Sequence, residues 1–128
     1  MKSILFFLVF ISVFTFSQEK ADSSIVDIPE KEAEFPGGIS AMKNFIAKNV
    51  IYPEKSLLKN EQGRVFVEFI VEKDGSFTKV KVLEGPYRRL NKEAKRVVKA
   101  MPNWIPAEWK GEIVRARCRI PINFILTD

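Results

Sequence analysis

Gly63-Arg64-Val65-Phe66-Val67-Glu68-Phe69-Ile70-Val71-Glu72-Lys73-Asp74-Gly75 decides the fold. Val65, Val67, Phe69 and Val71 alternate with Arg64, Phe66, Glu68, Ile70 and Glu72, the period of two of a strand with one face turned inward. Asp74-Gly75 supplies the positive dihedrals of a tight hairpin turn. The chain then returns through about Phe77 to Leu83, with Val80 and Val82 on the core face, until Gly85-Pro86 stops it.

Downstream, Asn91 is a candidate helix N-cap. Leu90, Ala94, Val97, Val98 and Met101 form an apolar stripe behind it, and Pro102 closes the helix. Trp104-Ile105-Pro106 turns the chain back, with Trp104 read as a lid on the core. Trp109 sits beside Lys110-Gly111 in a turn. The longest strand follows, about Glu112 to Leu126. Ala116, Cys118, Ile120, Ile122 and Phe124 face inward; Arg115, Arg117, Arg119, Pro121 and Asn123 face outward. Upstream, Phe35-Pro36-Gly37-Gly38 is a loop signal. Ile39, Met42, Phe45, Ile46 and Val50 then mark a helix that Pro53 ends, and Glu54–Lys59 reads as a second, short helical turn. The expected fold class is α+β: a three-stranded antiparallel ββαβ sheet with helices packed on one face.

Several functions are excluded by composition. The 128 residues hold no histidine and one cysteine, Cys118. No Ser–His–Asp arrangement, His–Cys pair or zinc cluster of His and Cys is available within one chain. No carboxylate pair falls in a recognisable motif, so the reading is a non-enzyme without cofactor or metal. Cys118, on the core face, reads as a small buried hydrophobe. The basic residues are not interleaved with surface aromatics, which argues against nucleic acid as a partner.

Charge divides the chain. Residues 18–34 carry six acids against two lysines, whereas residues 35–128 carry 18 Lys/Arg against 10 Asp/Glu. The first segment reads as an acidic flexible leader before a basic domain spanning 35–128. Before it, Lys2 precedes a dense apolar run from Ile4 to Phe16. Thirteen residues of helix reach roughly 20 Å, short of a hydrocarbon core of about 30 Å. Residues 1–17 therefore read as a secretory signal peptide cut after Ser17. The alternative is an uncleaved short membrane anchor, in which case the domain faces the periplasm from the inner membrane. Membrane contact is expected only in that case.

Pro121 carries the functional reading. Proline has no amide to donate, so it sits at an edge or a bulge. If its nitrogen points outward, the amides of Arg115, Arg117 and Arg119 share that direction. An exposed backbone ladder is expected at Arg115–Arg119, blunted at Pro121, where an extended peptide adds as a further strand. Phe66 and Ile70 lie on the face without helices. Cover by the leader or by long Lys and Arg stems accounts for them; a contact face for a second subunit is the alternative.

Taken together, Tyr52-Pro53, Gly63-Arg64-Val65, Asp74-Gly75, Val80-Lys81-Val82, Leu90-x-x-x-Ala94, Trp104-x-Pro106 and Pro121-Ile122-Asn123-Phe124 resemble the C-terminal domain of TonB energy transducers over residues 35–126. The resemblance implies a three-stranded antiparallel sheet with packed helices. It also implies a role in transport, because TonB proteins carry energy from a proton-driven inner-membrane motor to outer-membrane transporters. They grip the transporter's TonB box by strand addition to the last strand. Family members place polar residues just before the Tyr-Pro pair near that contact, the position of Asn49 here, next to Tyr52. The chain departs from a full transducer in lacking histidine and a proline-rich spacer, and its 17-residue leader spans at most about 60 Å. The expectation is a free-standing periplasmic binding domain for a transporter segment, with an assembly domain that dimerises, uncoupled from transport, as the alternative.

Overall fold

The computed structural model describes residues 24–127. The signal-peptide reading of residues 1–17 lies outside the described residues, as do residues 18–23 of the leader. The elements, in order, are β1 (Ile25–Val26), α1 (Gly38–Asn49), α2 (Glu54–Leu58), β2 (Gly63–Val71), β3 (Phe77–Glu84), α3 (Arg88–Lys99), β4 (Ala107–Trp109) and β5 (Glu112–Phe124). The fold is α+β, with three long antiparallel strands and helices against one face. The strand order is β1-β5-β2-β3, and β4 pairs with the start of β5.

β2 is the middle of the sheet, paired along its whole length with β5 and from Phe66 to Val71 with β3. It runs antiparallel to β5 from Gly63↔Phe124 to Val71↔Ala116 without a break. On its other side it meets β3 with two register shifts. β3 adapts at Lys79, whose φ of 52° marks an irregularity in a strand that is otherwise extended.

The inward faces of β3 and β2 meet α3. Val65, Val67, Phe69, Leu90, Ala94, Val97 and Val98 are each fully buried. Trp104 closes this core as the sequence suggests: it is 6% exposed and stands edge-on to Phe69, with ring centroids 5.1 Å apart. Phe35 and Phe77 approach the same indole at 6.1 Å. α1 contributes only partly buried side chains, Met42, Phe45 and Ile46, and no residue of α1 is fully buried.

The structure corrects four local readings. α3 begins at Arg88, and its N-cap is Tyr87, which supplies no side-chain cap. Asn91 therefore lies inside the first turn, where its backbone N–H bonds to the Tyr87 carbonyl. The hairpin is wider than two residues: the Glu72 N–H bonds to the Ser76 carbonyl, and of Asp74 and Gly75 only Gly75 has a positive φ, 89°. Asp74 instead accepts bonds from the Ser76 N–H and hydroxyl. A two-residue turn, Lys110 (φ 53°) and Gly111 (φ 78°), folds β4 onto β5 as a hairpin that the sequence reading leaves as a turn alone. Lastly, residues 24–34 do not hang free. β1 pairs with β5, and the Lys31 and Glu34 backbones bridge to Glu108 and Ile105.

The face without helices is covered by charge. Glu68 is 4% exposed and accepts a bond from Arg119 Nε at 2.8 Å, with Arg117 Nη1 at 3.4 Å and Lys81 Nζ at 3.6 Å. Two turns of the pleat along, Glu72 takes Arg115 Nε at 2.6 Å. Ile70 lies between these clusters on the same face and is 1% exposed. Long cationic stems can cover an aliphatic side chain in this way. Ile70 is therefore unavailable to a second subunit, which removes half of the Phe66/Ile70 contact face. Phe66 stays half-buried, with Arg64 Cζ 6.0 Å from its ring.

These pairs make stability depend on pH. Burial pushes the Glu68 carboxyl up, but the Arg119 hydrogen bond and the charges of Arg119, Lys81 and Arg117 outweigh it and hold it below its usual range. The Arg115 hydrogen bond does the same for Glu72. A carboxylate held low in the folded state stabilises above its unfolded value of about 4.3, and loses that contribution as pH falls through the folded value. Thermal melts are expected to show a constant midpoint from pH 7 to about 5 and a falling one below about 4. Glu68→Gln should flatten that fall; an acid limb identical in the variant would show that other groups cause it.

Candidate functional site

At the start of β5, Glu112 to Val114 pair with β4, with Ala107↔Val114 and Trp109↔Glu112. On the outer edge of β5, β1 takes the next two positions, in parallel, with Ile25↔Arg115 and Val26↔Ala116. After Val26 the leader peels away, and Asp27 Oδ1 accepts a bond from Arg117 Nε at 2.8 Å. From Arg117 to Phe124 no described strand lies on the outer side of β5.

The expected open ladder at Arg115–Arg119 is therefore corrected at its start. Arg115 pairs with β1, and the parallel Val26↔Ala116 pairing takes up the Arg117 N–H as well, so the open ladder begins at the Arg117 carbonyl and its first open amide is that of Arg119. Its direction follows from the parity of the strand. Pro121 has no N–H and stands opposite Phe66 in an unbroken register with β2. Alternate residues of an antiparallel strand turn their amides the same way. Arg117, Arg119 and Asn123 share the parity of Pro121 and of Arg115, which faces β1. Cys118, Ile120 and Ile122 have the opposite parity and bond toward β2.

A groove of about 580 Å³ runs along this edge. One wall is β5 from Ala116 to Ile120. The other is the chain from Asp27 to Met42, which crosses from β1 to α1. The side toward the core is apolar, with Phe35, Ile39, Met42, Cys118 and Ile120. Ile39 is 69% exposed because α1 does not close over this edge. The opposite side is charged, with Arg117 and Arg119 on the face of Glu68. An extended peptide on the edge would place alternate side chains in these two environments.

Cys118 lies half-buried in the apolar wall as a free thiol. Burial, helped by the Glu32 charge, pushes it up to about 11. At neutral pH it is a protonated small hydrophobe, as its place on the core face of the strand suggests.

The six residues singled out in the sequence do not form one cluster. Arg117, Arg119 and Pro121 lie along the open edge, and Arg115 lies under β1. Tyr52 reaches β5 at its far end, edge-on to Phe124 at 5.6 Å. Arg117 and Phe124 are about 23 Å apart along an extended strand. The Tyr52 hydroxyl donates to the Glu61 carbonyl. Asn49 is turned toward the helices: its Nδ2 donates to the Phe45 carbonyl at 2.8 Å, and its own carbonyl accepts from Arg96 Nη2 at 2.8 Å. Ile39, Met42 and the Asp27–Glu34 wall were missed as site residues. The β-branched pair Ile25-Val26, isolated in an acidic stretch, was the signal for that wall.

Residues 48–126 match the family described as Gram-negative bacterial TonB protein C-terminal. No curated protein sequence matches the chain. Two solution NMR structures of the TonB C-terminal domain of Helicobacter pylori are similar to it. The longer superposes with a TM-score of 0.54 at 25% identity, covering 68% of this chain and 78% of that one. The shorter gives 0.55 at 26% identity, covering 70% of this chain and 94% of that one.

Proposed function

The chain belongs to the TonB C-terminal domain family, a family of energy-transducer domains rather than catalysts, and on that premise we propose that it binds an extended segment of an outer-membrane transporter by strand addition to β5. The docking ladder runs from Arg117 to Asn123, two residues later than the sequence reading puts its start. The observation that carries the proposal is the edge itself. On the side away from β2, β5 pairs with β1 at Arg115 and Ala116 and carries no described strand beyond that pairing, and the groove runs along it. The protein acts in the periplasm, exported by residues 1–17.

Main-chain hydrogen bonds supply the grip, each contributing roughly 0.5–1.5 kcal/mol net. Several bonds in one ladder load together when the peptide is pulled along its length, which suits a domain that passes on force. Arg115 and Asn49 act as support: Arg115 holds β1 and Glu72 in place, and Asn49 fixes the turn into Tyr52.

Titration with TonB-box peptides tests this, with each peptide N-methylated at successive positions. Strand addition predicts an alternating pattern, in which methylation at every second residue abolishes binding and methylation between them is tolerated. Uniform tolerance would point to a side-chain contact instead. Absence of binding by all peptides at high concentration would rule the proposal out.

A further inference from the structure

α3 carries a second surface that the peptide edge does not use. At about 100° per residue, Arg88, Lys92, Lys95 and Lys99 fall within an arc of about 60°. The arc lies opposite Leu90, Ala94 and Val97, which are fully buried. The row therefore points straight away from the core, and it extends about 17 Å along the helix. Arg88, Lys92 and Lys99 are exposed and Lys95 is half-buried. None of the four has an ion-pair partner among the described residues. Arg89 and Arg96, on the flank of the row, are paired with Glu61 and Glu93. Lys79 adds a fifth cation, beside Lys99 around a shallow cavity.

Helix stability accounts for Lys99, a cation in the last turn, but not for the row as a whole. Arg88 and Lys92, and Lys95 and Lys99, are like charges one turn apart, a spacing that destabilises a helix. Arg88 also opposes the dipole in a first turn that holds no acid and has no side-chain cap. A solvated helix face gains by mixing signs, and this one does not mix them.

We propose that the outer face of α3 docks the domain on an anionic phospholipid surface. The row is convex and straight. Its cations do not converge on a point, as a compact anion requires, and the cavity beside Lys99 lies at the end of the row rather than among its cations. A flat array of anionic headgroups complements a line of separated, flexible cations. Tyr87, 40% exposed at the head of the helix, supplies an aromatic side chain suited to the interface.

Co-sedimentation of the full chain with vesicles tests this. Phosphatidylcholine vesicles set the baseline, including any binding through residues 1–17; vesicles mixed with phosphatidylglycerol give the signal. The ratio of the two partition constants is expected to be on the order of 100 at low salt and to collapse at high salt. R88Q/K92Q/K95Q/K99Q should bring the ratio to within a few-fold of one. K43Q/K48Q/K55Q/K59Q changes four exposed lysines on α1, α2 and the residue after it, gives the same net charge, and should keep most of the ratio. Equal losses in the two variants would show that net charge rather than this face is responsible. A wild-type ratio near one, or retention of the full ratio without the α3 cations, would overturn the proposal. Binding to soluble polyglutamate but not to anionic vesicles would overturn it in favour of an acidic polypeptide.

Discussion

Replacing Gly75 with alanine is expected to lower the stability of the domain by about 2–4 kcal/mol. Two causes act together. Gly75 has a φ of 89°, which an L side chain adopts at a cost. A Cβ there would also stand 2.3 Å from the Trp104 carbonyl oxygen. That oxygen belongs to the backbone where the Asn103–Trp104 segment meets the hairpin, and the Trp104 N–H bonds back to the Gly75 carbonyl at 2.9 Å. Neither side can withdraw without moving Trp104 off the core. Thermal denaturation should show a midpoint lower by roughly 10–20 °C. Gly75→Asn separates the causes. Asparagine tolerates the left-handed region but still carries a Cβ, so it should be nearly as damaging as alanine. A mild effect would mean that the dihedral, and not the close approach, dominates.

Phe69→Ala is expected to have the largest effect of any single substitution, about 3–5 kcal/mol. Phe69 is fully buried at the centre of β2. Its ring meets Phe77 and Trp104, each with centroids 5.1 Å away. Truncation removes the transfer energy of a phenyl ring and leaves a void that three separate elements would have to close. A small domain has only roughly 5–15 kcal/mol in total, so this one change consumes a large share of it. Urea titration should show a midpoint lower by about 2–3 M with little change in slope. Phe69→Leu should recover more than half of the loss. A midpoint unchanged in Phe69→Ala would mean that Trp104 is not seated on this ring.

Phe69 and Gly75 were both legible in the sequence, for different reasons. Phe69 sits in an alternating run whose period allows one reading only. Gly75 follows aspartate in a hairpin signal, although its tight fit against Trp104 depends on a contact between residues far apart in the chain. The three long strands and α3 were readable because each carries a whole apolar face. β1 and β4 were not, since two or three residues cannot display a period. Their pairing is decided by what β5 leaves open at Glu112–Ala116, a property of tertiary structure. The same limit displaced the docking ladder. Pro121 fixed which amides of β5 face outward, but nothing local to Arg115 announced that Ile25 would cover it. The helix boundary at Arg88 was missed because Asn91 has the chemistry of a cap, while the backbone entered the helix three residues earlier without one. The charge network around Glu68 was visible only as alternating residues. Its burial depends on Arg119, Arg117 and Lys81 converging from two neighbouring strands.

Amide hydrogen exchange along β5, with and without a TonB-box peptide, tests the docking edge most directly. In the free protein the amides of Cys118, Ile120 and Ile122 should exchange slowly, since they bond to β2, as should that of Arg117, which faces β1, and those of Arg119 and Asn123 should exchange fast. Saturating peptide should slow the second set and leave the first unchanged. If Arg119 and Asn123 are already protected in the free chain, or stay fast with peptide bound, β5 does not receive a visiting strand.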